Sequence, residues 1–89
     1  MHPNDLQNYF LLDVRTPQEF DQKHIPNSTL IPINDVPQNL NKLQRIQKTI
    51  LIICRSGARA SHVQDFLEDN QIESKVLHGG IIANPHLLE

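Results

Sequence analysis

Tryptophan is absent, and one tyrosine and three phenylalanines are the only aromatic residues among 89. The core of such a chain must be aliphatic. A single cysteine, Cys54, leaves no internal disulfide, which excludes a stapled secreted mini-domain. No apolar run approaches the ~18 residues of a membrane span; the longest, Ile50 to Cys54, is the length of a strand. Met1-His2-Pro3-Asn4-Asp5 carries neither the basic nor the apolar region of a signal peptide. That predicts a cytoplasmic location, or a periplasmic one only if a leader has been removed. Charge of one sign is lacking too: 8 Lys and Arg face 10 Asp and Glu, for a net charge of −2. Nothing in this balance points to nucleic acid or an anionic membrane as a partner. The histidines (His2, His24, His62, His78, His86) show no metal-ligand spacing, so no metal site is expected. Repeats and low-complexity tracts are missing as well.

What is present suits one small domain spanning residues 1–89. Area scaling gives roughly 5,300 Å² folded against about 15,000 Å² unfolded, so about 64% of the surface can be buried. Strand-like and helix-like segments alternate. Phe10-Leu11-Leu12 leads through Asp13 and Val14 to Arg15 as a first strand. Thr16-Pro17-Gln18-Glu19 reads as a helix start, with Thr16 as cap, Pro17 at the first position and Glu19 completing a capping box. Asn27 suits a turn at positive φ, and Thr29-Leu30-Ile31 forms a second strand, stopped by Pro32. Val36, Leu40, Leu43 and Ile46 make one apolar stripe, which predicts a second helix. Thr49 to Ile53, β-branched and uninterrupted, reads as a central parallel strand covered on both faces. Ala60, Val63, Phe66 and Leu67 mark a third helix, ending near Asn70. Lys75-Val76-Leu77 is a last strand, halted by Gly79-Gly80, and Ile81 to Leu88 holds one or two further helical turns broken at Pro85. The order implies an α/β fold with a parallel sheet of four to five strands and helices on both faces. Sites in such sheets form at the carboxyl ends of the strands.

The informative segment is Cys54-Arg55-Ser56-Gly57-Ala58-Arg59. It follows the best strand and opens the best-patterned helix, placing a thiol beneath a helix amino terminus. The unpartnered N–H groups and dipole there favour an anion, and Arg55 and Arg59 add two positive charges. Such surroundings favour the thiolate, which is the reactive form. A buried, inert cysteine is the alternative, but the neighbours Arg, Ser and Gly are not core builders.

This loop resembles the active-site loop of rhodanese-type sulfurtransferases. The resemblance continues through Leu12-Asp13-Val14-Arg15, Glu19-Phe20, His24-Ile25-Pro26, Leu30-Ile31-Pro32-Ile33 and Leu77-His78-Gly79-Gly80-Ile81, in order over about Phe10 to Ile82. In its short amino-terminal segment the chain is similar to the small phage-shock-type rhodaneses. The resemblance implies a small rhodanese-like domain in which catalytic Cys54 takes the outer sulfur of thiosulfate and holds it as a persulfide. Cyanide or a thiol then removes it. Arg55, Ser56, Gly57, Ala58 and Arg59 would bind the substrate, with the two arginines on the dianion and the backbone amides around the sulfur. No metal or organic cofactor is implied. A protein is a further candidate sulfur acceptor, and a monomer is expected.

Other readings use the same residues: a regulatory module without activity, or a sulfur carrier fed by another protein's persulfide. Cysteine phosphatase and arsenate reductase are disfavoured. Phosphatases of this kind use Cys-x5-Arg, whereas Cys54 to Arg59 is Cys-x4-Arg, and Ala60 stands where their arginine would. The chain departs from the family at Lys23, at Asn27-Ser28, at Ala60 where a serine is common, and at Asn84-Pro85 where a tryptophan is usual. Asp13 and Arg15 are candidates for site support, through hydrogen bonds to the loop or an Arg15–Glu19 pair; a structural role, as a solvated strand end with a capped helix, is favoured because no step of the reaction needs them as acid or base. Gly79-Gly80 is expected to turn at positive φ beside the site. Lys42, Arg45 and Lys48 are expected to form a solvated face.

Overall fold

The computed structural model describes residues 1–88. Glu89, the last residue of the expected domain, lies outside the described residues. Four strands, β1 (Tyr9–Asp13), β2 (Thr29–Leu30), β3 (Thr49–Ile53) and β4 (Ser74–Val76), form one parallel sheet in the order β2-β1-β3-β4. The shorter end of the four-to-five range therefore holds. The helices are α1 (Pro17–Gln22), α2 (Leu40–Gln44), α3 (Ala58–Asp69) and α4 (Gly80–Ala83), with 3-10 turns at Pro3–Asn8, Ile33–Asp35, Pro37–Asn39 and Pro85–Leu87. None of the helices of the described residues is long and apolar enough to cross a membrane.

The alternation of side chains along β1 and β3 divides the core into two layers. Leu12, Val14, Ile50 and Ile52 face α2 and α3, where they meet Leu43, Ala60, Val63 and Leu67. Leu11, Leu51 and Ile53 face the other way, onto Ile25, Leu77 and Leu87. Because β3 is covered on both sides, its run carries no polar residue after Thr49. The accessible surface, 5518 Å², agrees with the value of about 5,300 Å² that chain mass predicts.

Two local expectations hold in detail. Thr16 and Glu19 form the capping box of α1, and Asn27 turns at φ 69°. The second helix departs from its prediction. Pro37 lacks the N–H a continuous helix needs, so the stripe is split between 3-10 turns and the five-residue α2. Val36 and Leu43 still reach the core, from separate turns.

The sheet order places a topological switch between β1, whose chain continues to β2, and β3, whose chain continues to β4. Ligand sites of open parallel sheets form at such a crevice. The loops that follow Asp13 and Ile53 meet there.

Candidate active site at the carboxyl end of the central strand

Cys54 directly follows β3. Its side chain packs against the α3 layer and retains 1% of its accessible surface. Above it the chain turns through exposed Arg55 and Ser56 into Gly57, which sits at φ 109°, ψ −17° and caps α3. The Gly57 N–H donates to Cys54 Sγ at 2.8 Å. Thus one loop amide already meets the sulfur, and the space beyond the Gly57 Cα is open to 4 Å. Ala58, Arg59 and Ala60 open α3, so their amides are among those without an intrahelical acceptor. The sulfur lies under the loop rather than on its surface.

Arg59 is held by a carboxylate. Its Nη1 and Nη2 donate to Glu19 Oε1 and Oε2 at 2.8 and 3.0 Å, a two-pronged contact that joins α1 to α3 across the switch. The hydrogen bond from Arg59 lowers the Glu19 pKa to about 2; the same contact raises that of Arg59. Glu19 is therefore both cap of α1 and clamp of Arg59. Its second role was not visible from the sequence, since a contact across 40 residues leaves no local pattern. Among the described residues no carboxylate pairs with Arg55.

The candidate Arg15–Glu19 pair does not form. Residues 13 and 15 lie on one side of the extended chain, and the Arg15 guanidinium turns to Asp13: Nη2 donates to Oδ2 at 2.8 Å and Nε to Oδ1 at 3.0 Å. The Arg15 backbone N–H reaches the same carboxylate, and Nη2 also donates to the Lys23 carbonyl at 2.7 Å. Both residues are buried, which excludes the solvated strand end. They tie the end of β1 to the end of α1, and their hydrogen bonds do not run to the Cys54 loop. The Ser61 hydroxyl likewise donates to the Gly57 carbonyl rather than to the sulfur.

The other wall of the loop is the glycine turn. Gly79 and Gly80 adopt φ 74° and 63°, as expected. A Cβ on Gly80 would lie 2.5 Å from the Arg55 carbonyl carbon and 2.7 Å from the Cys54 carbonyl oxygen, so only glycine permits this approach. The first amides of α4 then bond the loop: Ile81 N–H to the Cys54 carbonyl and Ile82 N–H to the Arg55 carbonyl, both at 3.0 Å.

A cavity of about 530 Å³ opens beside this assembly, between Lys23, Glu19 and Arg55 on the polar side and Ile81 and Leu88 on the apolar one. A larger one, about 650 Å³, lies against Tyr9 and Lys48 at the opposite ends of the strands, away from the cysteine. The first borders the cysteine loop through Arg55; the second does not touch it.

Comparison with known proteins agrees with this fold. The family described as Rhodanese-like domain matches residues 2–83. A protein of Allochromatium vinosum named Sulfurtransferase is 35% identical over 81 residues, covering 89% of this chain and 74% of that protein. A rhodanese-related protein from Thermoplasma volcanium superimposes with a TM-score of 0.84 at 30% identity, over 97% of this chain and 89% of that one. A rhodanese-like domain protein from Staphylococcus aureus gives 0.79 at 31%, over 98% and 92%.

Proposed function

This chain belongs to the rhodanese-like domain family, and from that premise we propose that it is a sulfurtransferase working through a persulfide on Cys54. The thiolate of Cys54 attacks the outer sulfur of thiosulfate. A new S–S bond forms, the old S–S bond breaks, and sulfite leaves with its electron pair. The enzyme then carries Cys54-S-S⁻. Cyanide, or a thiolate acceptor in the cell, attacks the outer sulfur and regenerates the Cys54 thiolate. Two half-reactions through a covalent intermediate predict ping-pong kinetics.

The observation that carries this reading is the sulfur at the end of β3, met by the Gly57 amide and roofed by an exposed loop with Arg55 beside it. A donor that reaches the sulfur takes the place of the Gly57 N–H···S contact. The added sulfur, also anionic, then takes the loop amides as donors. Arg55 receives the dianion first; Arg59 contributes charge while Glu19 holds it in place. Ser56 and Ala58 contribute through the backbone. Thiosulfate and a persulfidated protein are alternative donors to the same thiolate, and the cytoplasm, rich in thiols, is the proposed setting.

The test is direct. Incubation with thiosulfate should add the mass of one sulfur, which cyanide should remove as thiocyanate. Turnover should be present in the native protein and lost in Cys54→Ser. Equal rates in the two would overturn the assignment. Transfer from a persulfidated protein far faster than from thiosulfate would make the natural donor a protein.

A further inference from the structure

Asn84 ends α4 and is buried, yet no step of the chemistry touches it. Its side-chain Nδ2 donates twice, to the His78 carbonyl at 2.9 Å and the Gly80 carbonyl at 2.8 Å, which uses both of its hydrogens. The Asn84 backbone N–H bonds the Ile81 carbonyl instead of Gly80. The side chain therefore supplies the bond that a regular helix would have given the Gly80 carbonyl, and it clamps both sides of the Gly79–Gly80 turn. That turn is costly to hold: two successive residues stand in the left-handed region, and the first is crowded by the Ala83 side chain as soon as it carries a Cβ.

What the turn presents is the pair of amides on the Cys54 and Arg55 carbonyls. A trans peptide is planar, with its C=O and N–H pointing in opposite directions. Fixing the Cys54 carbonyl on Ile81 therefore aims the Arg55 N–H away from α4. Fixing the Arg55 carbonyl on Ile82 does the same for the Ser56 N–H. On the persulfide reading, these are two of the loop amides available to the terminal sulfur.

We propose that Asn84 is a positioning residue for the Cys54 loop: through the Gly79–Gly80 turn it sets the direction in which the Arg55 and Ser56 amides point. The proposal rests on the persulfide reading above, and its test separates the two. Asn84→Asp removes both donors without changing the volume; Asn84→Ala removes the side chain. At pH 8 each variant should lose about tenfold in kcat with thiosulfate and cyanide, because misaimed donors stabilise the developing charge less well. The thiosulfate KM should stay within twofold, since both arginines remain. Burial against two carbonyl oxygens raises the pKa of a carboxyl at this position, so the activity of Asn84→Asp relative to wild type should recover as pH falls from 8 toward about 6, where the acid form regains one donor, while Asn84→Ala should show no such recovery. Amide hydrogen exchange gives a readout independent of sulfur transfer. In the variants, Ile81, Ile82 and Gly57 should lose protection together while the amides of β3 keep theirs.

Unchanged kcat in folded variants, or Gly57 protection unchanged when that of Ile81 falls, overturns the proposal while leaving the persulfide reading intact. Absence of any persulfide in wild type overturns that reading instead, and exchange then decides alone. If neither variant folds, native-state exchange of wild type decides: Gly57, Ile81 and Ile82 should open with one shared free energy, and separate openings would defeat the idea.

Discussion

Two ion pairs flank the cysteine loop, and they differ in nearly every physical respect. Asp13–Arg15 is sealed, with side chains 0% and 7% exposed; Glu19–Arg59 keeps 29% and 33%. The first joins neighbours in sequence, the second residues 40 apart. A sealed pair gains little over an apolar substitute but leaves a stranded charge when halved. A half-exposed pair is screened by water and can exchange partners at low cost. The lesson is one of division: the buried pair locks the scaffold behind the site, and the open pair keeps a cation at the site's edge without fixing it there permanently.

The sharpest way to break this comparison is to halve the buried pair. Arg15→Ala leaves the Asp13 carboxylate inside without its fork and frees the Lys23 carbonyl. The loss should be about 3–5 kcal/mol, a fall in melting temperature of at least about 12 °C for a domain this size. A loss under about 1 kcal/mol would mean that the pair is solvated in solution and that the contrast between the pairs fails.

The two glycines bordering the loop offer a second contrast, of intermediate size. Gly80→Ala meets the Cys54 and Arg55 carbonyls and strains a positive φ. Crowding and strain together should cost about 2–4 kcal/mol. Gly57→Ala meets nothing within 4 Å and bears the backbone strain alone, about 1–2 kcal/mol. Chemical denaturation should return that order. The reverse order would mean that the glycine turn does not press on the loop.

Local chemistry made much of this legible in advance. The run Thr49–Ile53 reads as a doubly covered strand because no polar residue interrupts it, and Thr16-Pro17-Gln18-Glu19 announces its own cap. The chain's direction from Cys54 into α3 put the thiol under a helix start, where it is found. What stayed hidden depends on distance or on register. Glu19 had a local partner in Thr16, and nothing in the sequence showed its second partner, Arg59. Arg15 stands near Glu19 in sequence, but it precedes the helix, so helical spacing does not apply to it; extended geometry puts it beside Asp13. The apolar stripe of the second helix was real, yet Pro37 splits the backbone that carries it. Asn84 shows the same limit, since its two acceptors are carbonyls of a turn whose shape only the fold defines.

The smallest effect should come from the open pair, and it has a characteristic pH signature. The Glu19 pKa falls from 4.5 to about 2 on folding. A carboxylate whose folded pKa is depressed adds stability that is fully present above the unfolded value and is lost as pH drops through the folded one. The Glu19 contribution should therefore hold from neutral pH down to about 4.5 and disappear between there and about 2. Exposure at both partners limits it to about 1 kcal/mol. Glu19→Gln should lose that amount at pH 7 and match wild type near pH 2, with the difference closing across the window between. The same substitution removes a negative charge beside Arg59. Attraction for a dianion should then strengthen, and the thiosulfate KM should fall a few-fold at low salt, less at high salt. A rise in KM at unchanged stability would give Glu19 a different task, that of aiming Arg59 at the donor. The comparison would then be sharpened rather than lost: the open pair would count for its geometry, and the buried one for its energy.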